Sequence, residues 1–237
     1  MRPRRTVPTR LLGRVLTALA CAALLAGCTA EPSAAELPPA AELLSRSADA
    51  MRGVSTAAVA IDVDPAVTAV PVRTATGRVT ADGRAEGTAV LALFGGPPLE
   101  YQLVVAAGTL YLKGPTGDFS RVPVSSVAGL YDPTAILDPE RGAAAMLSAA
   151  DAGTTTAREE ADGVEAHRVE ATFGAQQVAA LVPGVTEPVP GVVWLDAATN
   201  RLVRAELALP DGPAGAGGPV TVRFSDYDAP VDITPPA

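Results

Sequence analysis

The chain reads as a single α+β domain: one antiparallel sheet with a block of helices covering one of its faces. Three observations predict it. Apolar residues alternate with period two through most of residues 56–227, the signature of strands with one buried face. Short turn signals such as Asp82-Gly83, Ala107-Gly108 and Asp162-Gly163 separate the alternating runs, and such turns join antiparallel neighbours. Helix-like segments cluster at the start and in the middle of the chain rather than alternating with each strand, which argues against a parallel α/β sheet.

The elements follow in order. Met1 to Arg14 carries five arginines and no acid, and Val15 to Ala26 is an almost unbroken apolar run. A basic segment, a short apolar segment and small residues at a cut site make a secretory signal peptide, too short for a comfortable membrane span. Leu25-Ala26-Gly27-Cys28 is the pattern at which a cysteine thiol is diacylated and the chain is cut before it. Cys28 is therefore the predicted lipidation site, residues 1–27 are the predicted leader, and the anchor places the mature chain on the outer face of a cell membrane. Two or three acyl chains suffice for stable anchoring. Thr29 to Ala40 has three prolines and no periodicity, so residues 28–40 read as the lipidated cysteine and a flexible tether. Residues 41–237 read as the folded domain.

Leu43, Leu44, Ala48 and Met51 recur at helical spacing, predicting a helix over 41–51 that stops near Gly53. Strands are predicted at 59–63, 74–80, 86–94, 100–106, 109–113 and 119–122. Asp132-Pro133 and Asp138-Pro139 each set an acid before a proline at a first helical position, predicting helices over 134–137 and 140–150. Further strands fall at 154–160, 164–173, 192–196, 202–209 and 220–227, with a short helix over 175–181.

Composition narrows the function. Of the 18 basic residues only 13 lie beyond Cys28, against all 26 acids, so the mature net charge is about −13. That balance argues against nucleic acid and against a basic patch gripping anionic lipid heads. Seventeen arginines to one lysine, with abundant Ala, Gly and Pro, fit a GC-rich genome of the actinobacterial kind. Cys21 falls in the leader, leaving the mature chain without a thiol for a disulfide or a thiolate metal site. No phosphate loop and no Gly-x-Ser-x-Gly elbow is present. His167, the sole histidine, shares an inward parity with Val169, Ala171 and Phe173, which fits a core or cavity wall better than a base, and one histidine cannot build a zinc site. Acids such as Asp151, Glu159, Glu160, Asp162, Glu165 and Glu170 fall in turns or on outward positions. Neither catalysis nor a bound metal or cofactor is expected; an envelope hydrolase stays the remote alternative.

The inward parities are instead apolar: Val59 and Ile61; Val79; Val90, Ala92 and Phe94; Tyr101, Leu103 and Val105; Leu110 and Leu112; Val169 and Phe173; Val203 and Leu207. The covering helices offer Ala143-Ala144-Ala145-Met146-Leu147. Small side chains on two facing layers leave either volume for a ligand or an ordinary packed core, and pattern alone does not choose.

Three stretches add a resemblance. Tyr131-Asp132-Pro133 with Leu137-Asp138-Pro139, the run Pro188-Val189-Pro190-Gly191-Val192-Val193-Trp194-Leu195, and Gly95-Gly96 followed by Val104-Val105 and Gly108-Thr109-Leu110-Tyr111 resemble the actinobacterial LppX/LprA/LprF/LprG lipoprotein family, over essentially the whole chain. The resemblance implies a strongly curved half-barrel sheet with helices on its concave side around a large apolar cavity. It implies a periplasmic carrier of multi-acylated lipids or glycolipids: phosphatidylinositol mannoside, lipoarabinomannan or triacylglycerol for LprG-like members, phthiocerol diesters for LppX. An efflux pump of the major facilitator class is the implied partner. Val59, Ile61, Val79, Val90, Ala92, Phe94, Tyr101, Leu103, Val105, Leu110, Leu112, Met146, Leu147, Val169, Phe173, Val203 and Leu207 are the expected cavity lining, with Val90, Ala92 and Phe94 near the mouth. A structural or interaction lipoprotein with a filled core is the competing reading.

Overall fold

The computed structural model describes residues 37–92, 96–127, 132–182, 185–212 and 215–236. Helix α1 (Ala40–Arg52) buries Leu43, Leu44, Ser47, Ala48 and Met51 along one stripe and turns Glu42 and Arg46 to solvent as an i,i+4 pair. Three strands follow, β1 (Thr56–Val63), β2 (Val72–Thr80) and β3 (Ala85–Leu91). The meander continues through β4 (Leu99–Ala106), β5 (Thr109–Lys113) and β6 (Ser120–Pro123). Then come α2 (Val124–Val127), a 3-10 turn at Pro133–Ala135, α3 (Ala143–Ser148), β7 (Asp151–Ala161), β8 (Val164–Phe173), α4 (Ala175–Leu181), β9 (Val189–Asp196), β10 (Leu202–Leu209) and β11 (Gly218–Ser225).

All eleven strands form one open antiparallel sheet in the order β6-β5-β4-β3-β2-β1-β11-β10-β9-β8-β7. The two halves of the chain are stitched together centrally, where β1 pairs with β11 from Ala58↔Ser225 to Val63↔Val220. The turn chemistry acts as read: Asp162 and Gly163 take φ of 48° and 86°, and Ala107 and Gly108 take 50° and 73°, the paired positive values of tight hairpins. Asp132 caps the 3-10 turn by accepting from the Thr134 N–H at 3.0 Å. Asp138 accepts from the N–H groups of Glu140 and Arg141 at 2.9 and 3.1 Å, but this closes a turn, and the helix itself begins only at Ala143.

The sheet curves because glycine lets it crease. Gly77 and Gly87 face each other across β2 and β3 on the inner face. A Cβ on Gly87 would stand 2.2 Å from the Thr76 carbonyl oxygen, and one on Gly77 2.3 Å from that of Glu86. Only a residue without a side chain admits so tight a bend.

The helices sit on the concave face. Leu43, Leu44, Met51, Leu147 and Val178 join Val59, Val169, Phe173, Val189, Val193, Leu195 and Leu207 in one apolar cluster. Leu43, Leu147, Leu195, Leu202 and Phe173 are fully buried, each contributing roughly 2 kcal/mol through the area removed from water. A smaller cluster of Ala161, Ala166, Trp194 and Val203 lies on the other side of the sheet.

Candidate functional site

Register decides which side chains meet the helices. Val59 and Ile61 fix the inner face at the centre; from them the ladder runs to Ala75, Gly77 and Val79, then to Ala85, Gly87 and Ala89, then to Tyr101, Leu103 and Val105, and then to Leu110 and Leu112. In the other direction it reaches Val220, Val222 and Phe224, then Ala205 and Leu207, then Val193 and Leu195, then His167, Val169 and Phe173.

This assigns the expected lining residues to different places. Ile61, Met146 and Leu207 surround an apolar crevice between α3, α4 and the sheet, together with Ile136, Ala143, Leu181, Val182, Leu202, Ala205, Val220, Val222 and Phe224. Val59, Val79, Val105, Leu147, Val169 and Phe173 belong to the packed core. Tyr101, Leu103, Leu110 and Leu112 lie on the inner face of β4 and β5 and remain half-exposed.

Two expectations are corrected. Val90 stands opposite Thr74 and Glu100, on the outer face, because Ala85, Gly87 and Ala89 hold the inner positions of β3. The crease at Gly77 and Gly87 requires small residues inside, so the larger members of the alternation point out. Val203 also faces outward, packing with Trp194, because a bulge between Leu202 and Arg204 shifts the parity of β10 by one. Ala92 lies just past β3, where its N–H donates to the Pro71 carbonyl at 2.8 Å. Phe94 and Cys28 lie outside the described residues. The crevice walls contributed by β11 and α4 were missed; alternation of Val220, Val222 and Phe224 was the available signal.

The crevice is narrow, about 70 Å³, and bounded entirely by apolar side chains. Pockets that hold small organic ligands run to about 300–1,000 Å³. Among the described residues this crevice is a slit, smaller than the large cavity the resemblance implies. Toward β4–β6 the inner face is less covered. Along β4 it passes from Val105, 1% exposed, to Leu99, 42% exposed. Among the described elements, α1 lies against α3 and β7, and α4 against α3 and the 3-10 turn, so helical cover concentrates over the β7–β11 side. An oily face therefore runs from a closed slit to an open end.

The outer face is the opposite in chemistry. Arg204 pairs with Asp162 at 2.8 Å, Arg223 with Asp62 at 2.6 Å and Arg168 with Glu170 at 2.6 Å. The Trp194 ring lies between the guanidinium groups of Arg168 and Arg204, 5.7 and 5.0 Å from its centroid, and its indole N–H donates to Glu159 at 2.7 Å. The Asp162 carboxylate beside Arg204 holds that guanidinium still further toward the charged form. A broad depression of about 640 Å³ opens here over β7–β10, but Asp151, Glu170 and Glu206 line it, the wrong surroundings for fatty chains.

His167 is 9% exposed, and its Nδ1 has no hydrogen-bond partner. Burial, then the nearby Arg158 charge, pushes its imidazole below the usual histidine range. That shift favours the neutral imidazole in the folded state. Among the described residues no three His, Cys, Asp or Glu side chains gather as a metal site requires.

Comparison places this open, creased antiparallel sheet, with its oily inner face beneath a partial helical layer, among the lipoproteins. Residues 39–233 match the model described as LppX_LprAFG lipoprotein, and the chain belongs to that family. The lipoarabinomannan carrier protein LprG of Mycolicibacterium smegmatis is 34% identical over 91% of this chain and 92% of its own. The protein of the same name from Mycolicibacterium hassiacum is 33% identical, over 97% and 99% respectively. The crystal structure of LprF from Mycobacterium bovis superposes with a TM-score of 0.74 at 26% identity, covering 84% of this chain and 97% of that one. LppX of Mycobacterium tuberculosis shares the fold at a TM-score of 0.60 and 21% identity, over 82% and 97%.

Proposed function

We propose that this protein is an envelope lipoprotein that carries multi-acylated lipids or glycolipids between envelope layers, with no chemistry of its own. Acyl groups on Cys28 hold it at the outer face of the cell membrane, residues 28–40 tether it, and 41–237 bind the cargo. The observation that carries the reading is the uneven cover of the inner face: a wholly apolar slit on the same sheet face as the half-exposed Leu103, Leu112 and Tyr101. The names of the LprG relatives support the same cargo class.

The energetics suit a carrier. A 16-carbon chain in water costs roughly 12 kcal/mol at about 0.8 kcal/mol per methylene. An apolar trough recovers most of that without reading a head group, so phosphatidylinositol mannoside, lipoarabinomannan and triacylglycerol fit the same site. The slit must widen to admit such chains, which requires α3 and α4 to part from β10 and β11. Ala143, Ala205 and Met146, small or flexible side chains, stand in the slit among larger ones such as Leu207 and Phe224. A major-facilitator efflux pump enters the proposal as the donor or acceptor of cargo, tested by co-purification from the host envelope.

Leu103→Asp places a charge in the open trough without touching the packed core. Lipid extracted with the host-purified variant should fall at least severalfold, with the thermal midpoint nearly unchanged; unaltered lipid content would remove the trough from the account. The narrowness of the slit favours a second reading, a filled-core interaction lipoprotein, and under it the wild type would yield no lipid at all.

A further inference from the structure

The two rims of the half-barrel differ in charge. One rim gathers the described parts of the connections β1–β2 (64–71), β3–β4 (92 and 96–98), β5–β6 (114–119), β8–β9 (174–182 and 185–188) and β10–β11 (210–212 and 215–217). These five connections contain four charged residues, Asp64, Asp118, Glu187 and Asp211, and no base. Residues 87–99 and 171–186 are free of charge altogether. The opposite rim carries Asp82 and Arg84, Asp162, Asp196 and Arg201, and Asp226 and Asp228 in its turns.

The charge-poor rim also presents apolar groups to solvent. Pro65, Ala66, Pro97 and Pro98 are exposed, and Leu99 is 42% exposed. The crevice reaches the same side, since Ile61, Leu207 and Val220 near the strand ends line it with Leu181 and Val182 at the end of α4. The chain enters on this side as well. The Pro38 carbonyl accepts from the Thr155 hydroxyl at 2.7 Å, in the half of β7 nearer this rim, and α1 then leads toward the far rim, where β1 begins.

We propose that this rim is a membrane-docking surface, laying Pro65, Ala66, Pro97, Pro98 and Leu99 on the boundary of an electrically neutral bilayer, with the open end of the trough against the lipid. Docking of this kind rests on apolar contact rather than on charge: the carboxylates of Asp64, Asp118, Glu187 and Asp211 outnumber Arg73 and Lys113, the two bases at the strand ends beside these connections. The inference rests on the carrier reading for its purpose but not for its physics.

The test uses the acylated full chain on phosphatidylcholine vesicles whose acyl chains bear nitroxides. A fluorophore is attached through Leu99→Cys or Ala66→Cys on the docking rim, or through Val164→Cys, an equally apolar position 37% exposed at the opposite rim. Quenching is expected at 99 and 66 and not at 164, and an added anionic phospholipid should not strengthen it. Equal quenching at 164, no quenching at 66 and 99, or a clear gain with anionic lipid would each overturn the proposal. Position 66 separates docking from lipid inside the trough, because Ala66 is on an exposed connection rather than on the inner face. Ala66→Asp should slow lipid transfer between vesicles on the order of tenfold with co-purified lipid unchanged; a parallel fall in bound lipid contradicts it. Rim quenching without bound lipid in the wild type would sink the carrier reading alone, and bound lipid without rim quenching would sink docking alone.

Discussion

At the scale of single residues, the inner face is shaped by what is missing. Gly87 and Gly77 admit a crease that any Cβ would block, so Gly87→Ala should lower stability by about 1–3 kcal/mol, read as a shift in the thermal or denaturant midpoint. A neutral response would mean that the sheet bends elsewhere. His167 gives a pH signature. Its folded pKa is depressed by burial, so the unfolded chain binds the extra proton first as pH falls below about 6.5. Stability should therefore decline from about pH 6.5 toward the lower folded value, and His167→Leu should flatten that limb. Tyr227, whose buried hydroxyl donates to the Leu202 carbonyl, fastens the segment after β11 to the core; Tyr227→Phe should cost about 1 kcal/mol.

At the scale of elements, period two located every strand, because a half-covered sheet imposes alternation regardless of its neighbours. Parity was less legible. In Ala85–Leu91 the shared parity of Glu86, Thr88 and Val90 marked that face as the outer one, but size pointed the wrong way for Val90, since the crease reserves the inside for Gly and Ala. The β10 bulge that turns Val203 outward has no marker in Leu202-Val203-Arg204; it arises from pairing with β9. Asp138-Pro139 announced a helix and supplied a turn three residues early, because the cap acts on Glu140 and Arg141 while the first helical residue is Ala143. The helical layer is the adjustable element. Ala143→Leu or Ala205→Leu should fill the slit, raise the thermal midpoint and reduce bound lipid together; a variant that gains stability and keeps its lipid would mean that cargo lies elsewhere.

At the scale of the molecule, the division is between a wet outer face and an oily inner one. Arg204, Arg223, Arg168 and their acids keep the convex side in water, while on the concave side the helices pack over β7–β11 and the inner residues Tyr101, Leu103, Leu110 and Leu112 of β4 and β5 stay half-exposed. That gradient of cover could not be read from the chain, since it depends on where α1 and α3 dock, and neither helix touches the β4 residues in sequence. What the chain did carry was its family, through motifs spread from Gly95 to Leu195, and residues 39–233 belong to the LppX_LprAFG lipoproteins. Carriage of acyl chains makes one demand of the whole molecule: the helical layer and the sheet must separate to take them in.

Native mass spectrometry of the protein purified from its own host tests that demand most directly. The account predicts adducts with the mass of multi-acylated lipid, lost on organic extraction and diminished in Leu103→Asp. A single unliganded species, unchanged by extraction, would contradict it.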